Sequence, residues 1–513
     1  MTETAPDPAL ASAKTEQERH GSIMLVMGAL MLTMLLAALD QTIVSTALPR
    51  IASEFNALSE LSWVVTAYLI TSAVVTPLYG KLSDIFGRKR MLMLAVVIFL
   101  IGSVLSGISQ SMLELILFRG IQGIGAGGLM TMVFATIGDI VTPRERGRYQ
   151  GYIGAVFGVS SVIGPLLGGF LTDSVSWRWI FYINVPLGLL ALAAIALRLN
   201  VHVAKRDHAI DYLGALFLSI SIVCLLLVAV WGGTTYPWSS QLILSLGALG
   251  VLFAGEFVWW ETRAKEPLLP LSLFRNSIFS VSSILSFVSG LSMFAAIIYL
   301  PEYLQAVRGY SATASGLLMV PLVVGILTAS ITSGRLISSS GKYRIFPLVG
   351  TLTTALGLFL MSGISVDTPI WLLSVWMIII GAGIGMFMQV MTLSVQNAVD
   401  QRDLGTATAT VTFFRSIGSS FGTSIFGAVL VSRFAAHIVG TVPAGAGIDS
   451  SIASNLSALA QLPPALAQPV FVAFTRAFDD LFLYAAPAML LAFVVALFLR
   501  EVPLRTQIRE EAL

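Results

Sequence analysis

LAALDQTIVSTALP, residues 36–49, places one carboxylate, Asp40, inside an otherwise apolar run. If that run is a membrane helix, an ionisable group at such depth is costly, and it is a functional-site hypothesis by default. The surrounding chain supports the premise. Of its 513 residues 56% are hydrophobic and only 11% charged, with mean hydropathy +0.88. A soluble chain carries roughly 25% charged residues. Apolar runs of about 18 or more residues recur from end to end, each long enough to cross a bilayer as a helix. The expectation is an all-α integral membrane protein with about 14 transmembrane helices. The first lies near 22–47 and the last near 479–499.

Short loops carry the cations, and these set orientation. Lys81, Arg88, Lys89 and Arg90 follow the second span; Arg144, Arg146 and Arg148 follow the fourth. Lys205 and Arg206 follow the sixth, and Arg335, Lys342 and Arg344 follow the tenth. All fall on one side, which places both termini in the cytoplasm of a multi-pass plasma (inner) membrane protein, expected to be bacterial.

An internal echo divides the chain. GKLSDIFGRKR (80–90) recurs as GRLISSSGKYR (334–344), and Gly123, Gly125 and Gly127 recur as Gly381, Gly383 and Gly385. Parallel repeats of this kind occur in secondary transporters. The reading is a tail at 1–21 and a six-helix bundle at 22–200. An inserted two-helix hairpin with its linkers follows at 201–278. A second six-helix bundle occupies 279–500, with an external loop at 433–478, and a tail closes the chain at 501–513. Within the loop, the Ala- and Leu-rich stretch Ser451–Phe478 reads as a short amphipathic helix.

Four constellations carry chemistry. Asp40 lies about nine residues, ~13 Å, from the outer end of its span, and Arg119 about seven residues, ~10 Å, from the outer start of the fourth. The two can meet. Burial and a nearby guanidinium act in opposite directions on a carboxylate's proton affinity. A change in water access or in the distance to Arg119 would therefore load or unload a proton. Thr33 and Gln122 are candidate supports. Second, Gly80, Asp84, Gly87, Arg88, Lys89 and Arg90 form a candidate cytoplasmic gate, in which Gly80 permits close approach, Gly87 a tight turn, and Asp84 favours the N-terminus of the third span. Third, Gly158, Gly164, Pro165, Gly168 and Gly169 of the fifth span suit close helix approach with a break in the backbone ladder, a candidate hinge. Fourth, Arg415 sits near mid-depth of a late span and should face protein or water. Met386, Met388, Phe413 and Phe414 are candidate substrate-cavity residues.

Other chemistry is disfavoured. Gly123, Gly125 and Gly128 match a dinucleotide fingerprint but lie inside an apolar span without the preceding strand. There is no G-x-x-x-x-G-K-[ST] loop, so no nucleotide is expected. The four histidines are scattered, and the single cysteine, Cys224, excludes a disulfide framework. A net charge of +2 gives no nucleic-acid signal. Neither a catalytic set nor a metal site is apparent, and an enzyme is not expected.

These stretches resemble the major facilitator superfamily, and within it the fourteen-span drug:proton antiporters. GKLSDIFGRKR is similar to the superfamily's signature loop. LDQTIVSTALP (39–49) resembles the first-span motif of the fourteen-span exporters, LILFRGIQGIGAGG the fourth-span motif, GVSSVIGPLLGG (158–169) the fifth-span motif of antiporters, and WRWIFYINVPLG (177–188) a further stretch typical of the group. The resemblance implies a major-facilitator fold of two six-helix bundles and alternating access. It implies export of hydrophobic or amphipathic molecules driven by a proton gradient, without a cofactor. A dedicated exporter of one metabolite, antibiotic or lipid shares the same pattern. The partners implied are a small substrate, protons and membrane lipid, acting on a monomer or one associated with other envelope components. Some multidrug members carry a second acid deep in the second half; here the mid-depth charge read from the sequence is Arg415.

Overall fold

The computed structural model describes residues 8–55, 61–199, 211–233, 235–400, 403–441 and 464–504. Residues 1–7 of the expected tail 1–21, residues 505–513 of the expected tail 501–513, Lys205 and Arg206, and residues 442–463 of the expected external loop lie outside the described residues. The described chain is helical, with a single isolated bridge, Gly232 to Tyr236. The N-terminal half comprises α1 (Pro8–Phe55), α2 (Leu61–Phe86), α3 (Arg88–Ile108), α4 (Met112–Ile140), α5 (Pro143–Ser174), and the pair α6 (Trp179–Tyr182) and α7 (Asn184–Arg198). The hairpin is α8 (Tyr212–Trp231) and α9 (Gln241–Glu261). The C-terminal half comprises α10 (Ser277–Ala306), α11 (Ala312–Leu318), α12 (Val320–Ser340), α13 (Ile345–Met361), α14 (Ile370–Ala398), α15 (Leu404–Thr441) and α16 (Pro464–Leu497). Thirteen described segments are long and apolar enough to cross a membrane, and α13, at 17 residues, is a shorter apolar helix.

Small residues decide how closely these helices approach. In α4 a Cβ at Gly123 or Gly127 would strike the α2 backbone at Tyr68 or Ser72, and one at Gly125 would strike α3 at Phe99. The second half repeats the arrangement. Gly381 and Gly385 meet α12 at Leu322 and Ile326, and Gly383 meets α13 at Gly350 and Thr354. The echoed loop glycines also match in conformation: Gly87 has φ 90° and Gly341 φ 74°, a region L side chains rarely adopt.

The hairpin packs differently. α9 rests on α8, and α8 lies in the groove between α2 and α15. Ile222 and Leu226 meet Ile70 and Ala73 of α2 and Phe413 of α15, and Trp231 stacks edge-on against Trp63 at 5.1 Å. Much of α9 is left uncovered, with Leu244, Val251, Leu252 and Trp259 exposed. Such apolar exposure suits lipid contact.

The sequence expectations need two adjustments here. α15 continues to Thr441 and α16 begins at Pro464, so residues 464–478 are the start of the last long helix, not part of a separate amphipathic one. The fifth-span residues expected to form a hinge instead meet two sets of neighbours. Gly164 and Gly168 meet Thr42 and Thr46 of α1, whereas Gly158 meets Val323 of α12, Gly169 meets Thr313 and Pro165 abuts Gly316 of α11. α5 is thus clamped between α1 and the second half, and it runs through Pro165 as one helix.

Candidate functional site

The site grows from α4, the most enclosed of the long helices. Glycines at Gly102 on α3 and Gly123 on α4 let the neighbouring backbones close around it. Arg119 and Gln122, one turn apart, therefore point into a space shared with α1. Arg119 Nη1 is 2.7 Å from Asp40 Oδ2, and both side chains are almost wholly buried. Gln122 Nε2 donates to Asp40 Oδ1 at 2.8 Å, and its Oε1 accepts from Arg119 Nη1 at 2.7 Å. Arg119 Nε donates to the Val64 carbonyl at 3.4 Å, and the guanidinium lies 4.2 Å from the centre of the Tyr68 ring. The carboxylate is thus held by charge and two amides, and the guanidinium by an aromatic face, in surroundings where losing one partner of a pair typically costs ~3–5 kcal/mol.

The second amide comes from a residue the sequence reading passed over. Asn184 Nδ2 donates to Asp40 Oδ1 and to Ser103 Oγ, both at 2.9 Å. Asn184 stands at the start of α7, just after the short α6 ends at Tyr182. Pro186 in the first turn of α7 carries no N–H and suits that start. The WRWIFY stretch fixes α6 from outside. Trp177 is buried against Phe55 and Phe181, its Nε1 donating to Glu54 Oε2 at 2.7 Å. Arg178 donates to Glu54 Oε1 at 2.7 Å and to the Ser109 carbonyl at 3.1 Å. Glu54 lies beyond the first apolar span. The hydrogen bond from Arg178 holds its carboxyl below the usual carboxylate range. The signal for Asn184 is a polar residue inside the largely apolar WRWIFYINVPLG stretch.

Thr33 does not join this network. It sits seven residues before Asp40, ~10 Å along the helix, and its hydroxyl donates to the Ala29 carbonyl at 2.8 Å. Arg415 does not join it either: its guanidinium lies 5.6 Å from the Phe134 ring centre, across the seam between the halves. Phe413 packs under the hairpin, and Phe414 sits edge-on to Phe274 and Phe413. Met388 packs on the second-half core, and Met386 lies beside Gly350 of α13. These four are accounted for by packing.

The loop after α2 makes a tie between the halves. Asp84 is 2.6 Å from Arg88, whose Nε reaches Asp139 at 2.7 Å and whose Nη1 bonds the Ser83 hydroxyl. Asp84 does not serve the third span's N-terminus, where Gly87 occupies the N-cap. It accepts from Thr406 N and Thr406 Oγ1, both at 3.1 Å, at the first turn of α15. A helix N-terminus favours such an anion. Gly80 and Gly405 have no side chain where α2 and α15 cross; a Cβ at Gly80 would strike Ala409. Lys89 donates to the Ala196 carbonyl at 2.7 Å, and Arg90 is exposed. Other ties lie at the same end. Arg144 donates to the Ser338 and Ser339 carbonyls at the C-terminus of α12, at 3.0 and 3.1 Å. Gln396 donates to the Phe134 carbonyl at 3.0 Å and accepts from Arg146 at 3.4 Å. Hydrogen bonds thus join the two halves at the cation-rich end of the molecule.

Acids in the second half were also missed. Glu302 lies in the last turn but one of α10 and forms no hydrogen bond or ion pair among the described residues. Asp480 of α16 binds Arg433 at 2.6 Å and His437 at 2.8 Å on α15. Glu302 lies just beyond residue 300, where the apolar run of its span is expected to end, and Asp480 lies at the very start of the expected last span, 479–499.

A sequence model described as Major Facilitator Superfamily matches residues 30–423. The chain belongs to the Major Facilitator Superfamily. Within it, an uncharacterised MFS-type transporter of Mycobacterium tuberculosis is 43% identical over 488 residues, covering 95% of this chain and 71% of the relative. Multidrug resistance protein 3 of Bacillus subtilis is 35% identical over 502 residues, 96% of this chain and 98% of the relative. Among solved structures, the human organic anion transporter MFSD10 shares the fold, with TM-score 0.64 at 16% identity over 92% of this chain and 99% of that one. Membership accounts for the two helical halves and makes the chain a membrane transporter, not an enzyme.

Proposed function

We propose that this Major Facilitator Superfamily member is a proton-coupled antiporter that exports small hydrophobic or amphipathic molecules from the cytoplasm. Asp40 carries the proton. The carrying observation is the buried Asp40–Arg119 pair, held by Gln122 and Asn184. The relatives named for multidrug transport and efflux support the direction and breadth of export. With the cation-rich loops taken as cytoplasmic, the Asp84–Thr406 and Arg144–Ser338 ties close the cytoplasmic side. Protonating Asp40 in that state removes the charge that balances Arg119, and the guanidinium must find new partners. A rearrangement of α1 against α4 that supplies them couples proton binding to reopening inward. A charge crossing with the membrane potential gains about 2.3 kcal/mol per 100 mV, enough to drive export uphill.

Proteoliposomes with substrate and proton fluxes recorded together test this reading; export that proceeds with no proton counterflow contradicts it. A panel of dyes and antibiotics in an efflux-deficient host separates a multidrug exporter from a carrier of one metabolite, antibiotic or lipid.

A further inference from the structure

Asp40 is 0% exposed and Arg119 1%, so a proton cannot reach the pair directly from solvent. Polar atoms do approach it along one side. Ser103, Ser106 and Ser109 recur every third residue at the outer end of α3, each 0% exposed. Residues three apart on a helix have Cβ atoms ~5–6 Å from one another, a gap that one water spans. Ser103 meets Asn184, which holds Asp40. At the other end the Ser109 carbonyl accepts from Arg178, which is paired with the part-exposed Glu54. The line thus runs from the carboxylate to the protein surface inside the N-terminal half.

Two atoms on this line are unsatisfied. Ser106 Oγ and Asn184 Oδ1 are buried and have no hydrogen-bond partner. Leaving such an atom unpaired costs ~1–3 kcal/mol. Buried waters usually sit where they make about three hydrogen bonds to polar groups of this kind. The neighbouring hydroxyls are already committed, that of Ser103 to the Phe181 carbonyl and that of Ser109 to the Ser106 carbonyl. A buried water is the group that would satisfy these two atoms.

We infer that Ser103, Ser106, Ser109 and Asn184 hold buried water and form a proton inlet from the Glu54 face to Asp40, lying within the N-terminal half. The inference rests on Asp40 being the proton site. A hydronium ion at the Glu54–Arg178 end supplies the proton. Each water or hydroxyl on the line forms one O–H bond as it breaks another. The last transfer forms an O–H bond on Asp40 and leaves neutral water behind. The unpartnered Asn184 Oδ1 can accept from the new O–H once the amide turns.

The experiment is stopped-flow proton binding by the purified full-length protein in detergent, with a soluble pH dye, after a small acid jump. The difference between the unsubstituted protein and Asp40→Asn isolates the phase that belongs to Asp40. Ser106→Val should slow that phase at least about tenfold, equivalent to ~1.4 kcal/mol on the barrier, with an unchanged amplitude. Ser106→Thr, which keeps the hydroxyl, should restore the rate, as a purely structural role would not require. An unslowed phase in Ser106→Val overturns the inlet while leaving Asp40 as the proton site. Absence of any Asp40-dependent phase overturns the coupling assignment itself. Should the valine variant not fold, Ser103→Ala cuts the link to Asn184 and is held to the same outcome.

Discussion

Asp84→Asn isolates the tie between the halves. The substitution keeps the shape of the side chain and removes its charge. Asp84 accepts two hydrogen bonds from Thr406 in the first turn of α15 while paired with Arg88. Its side chain is only 15% exposed, so solvent screens the interaction little. An anion at a helix N-terminus is worth ~0.3–1 kcal/mol at a surface and up to ~2 kcal/mol when partly buried. Asparagine keeps an acceptor oxygen, and Arg88 keeps Asp139 at 2.7 Å, so neither is orphaned. A loss of about 2 kcal/mol is therefore expected, which shifts the equilibrium roughly thirtyfold toward the state open at the cation-rich end. Spin labels at the exposed positions Arg90 and Lys342, in a Cys224→Ser background, report the separation of the halves at that end. The longer-distance population should rise in Asp84→Asn and rise less in Thr406→Ala, which keeps the backbone donor. Unchanged distance distributions in Asp84→Asn would show that the tie does not hold the closed state, and the gate reading would fall.

Other outcomes follow from the same geometry. Glu54 is held below the ordinary carboxylate range by Arg178, so its contribution to stability is present above its unfolded pKa of about 4.3 and lost as pH falls through the lowered folded value. Glu54→Gln should therefore lower the melting temperature slightly near neutral pH and converge with the unsubstituted protein at low pH, the difference staying under ~1 kcal/mol for so exposed a pair; a gap that widens on acidification would reverse the sign. Asn184→Ala removes one of the donors to Asp40 Oδ1 and should cost ~1–3 kcal/mol, seen as a lower melting temperature together with slower transport per molecule; unaltered transport would reduce Asn184 to packing. Fluorophores at Leu244 or Val251 of α9 should be quenched by spin-labelled lipid and not by a water-soluble quencher, whereas the reverse pattern would place the hairpin in the transport path.

Much of this arrangement was legible because membrane chemistry narrows the choices. Apolar length gave the helices, and an acid and an arginine at matched depth in the first and fourth spans anticipated the Asp40–Arg119 contact. The glycine echoes were readable for the same reason: positions where backbones cross, such as Gly125 and Gly383, tolerate no Cβ. Helical periodicity alone did not say which neighbour a face meets. That is why Thr33 was placed too near Asp40, and why Phe413, facing the hairpin, resembled a cavity residue. Nor could Asp84 be matched to Thr406, 322 positions away, since nothing local to GKLSDIFGRKR points to the start of α15. Asn184 was hidden because its position depends on the break between α6 and α7. Glu302 was hidden because α10 runs past the point where hydropathy falls.

Coupling of proton movement to export rests on Asp40. Proton flux and substrate flux measured together in proteoliposomes, for the unsubstituted protein and Asp40→Asn, test it most directly. Asparagine mimics the protonated acid and cannot release a proton. Asp40→Asn should still bind substrate but neither move protons in response to it nor accumulate it against a gradient. Uphill export with normal proton exchange in that variant would contradict it.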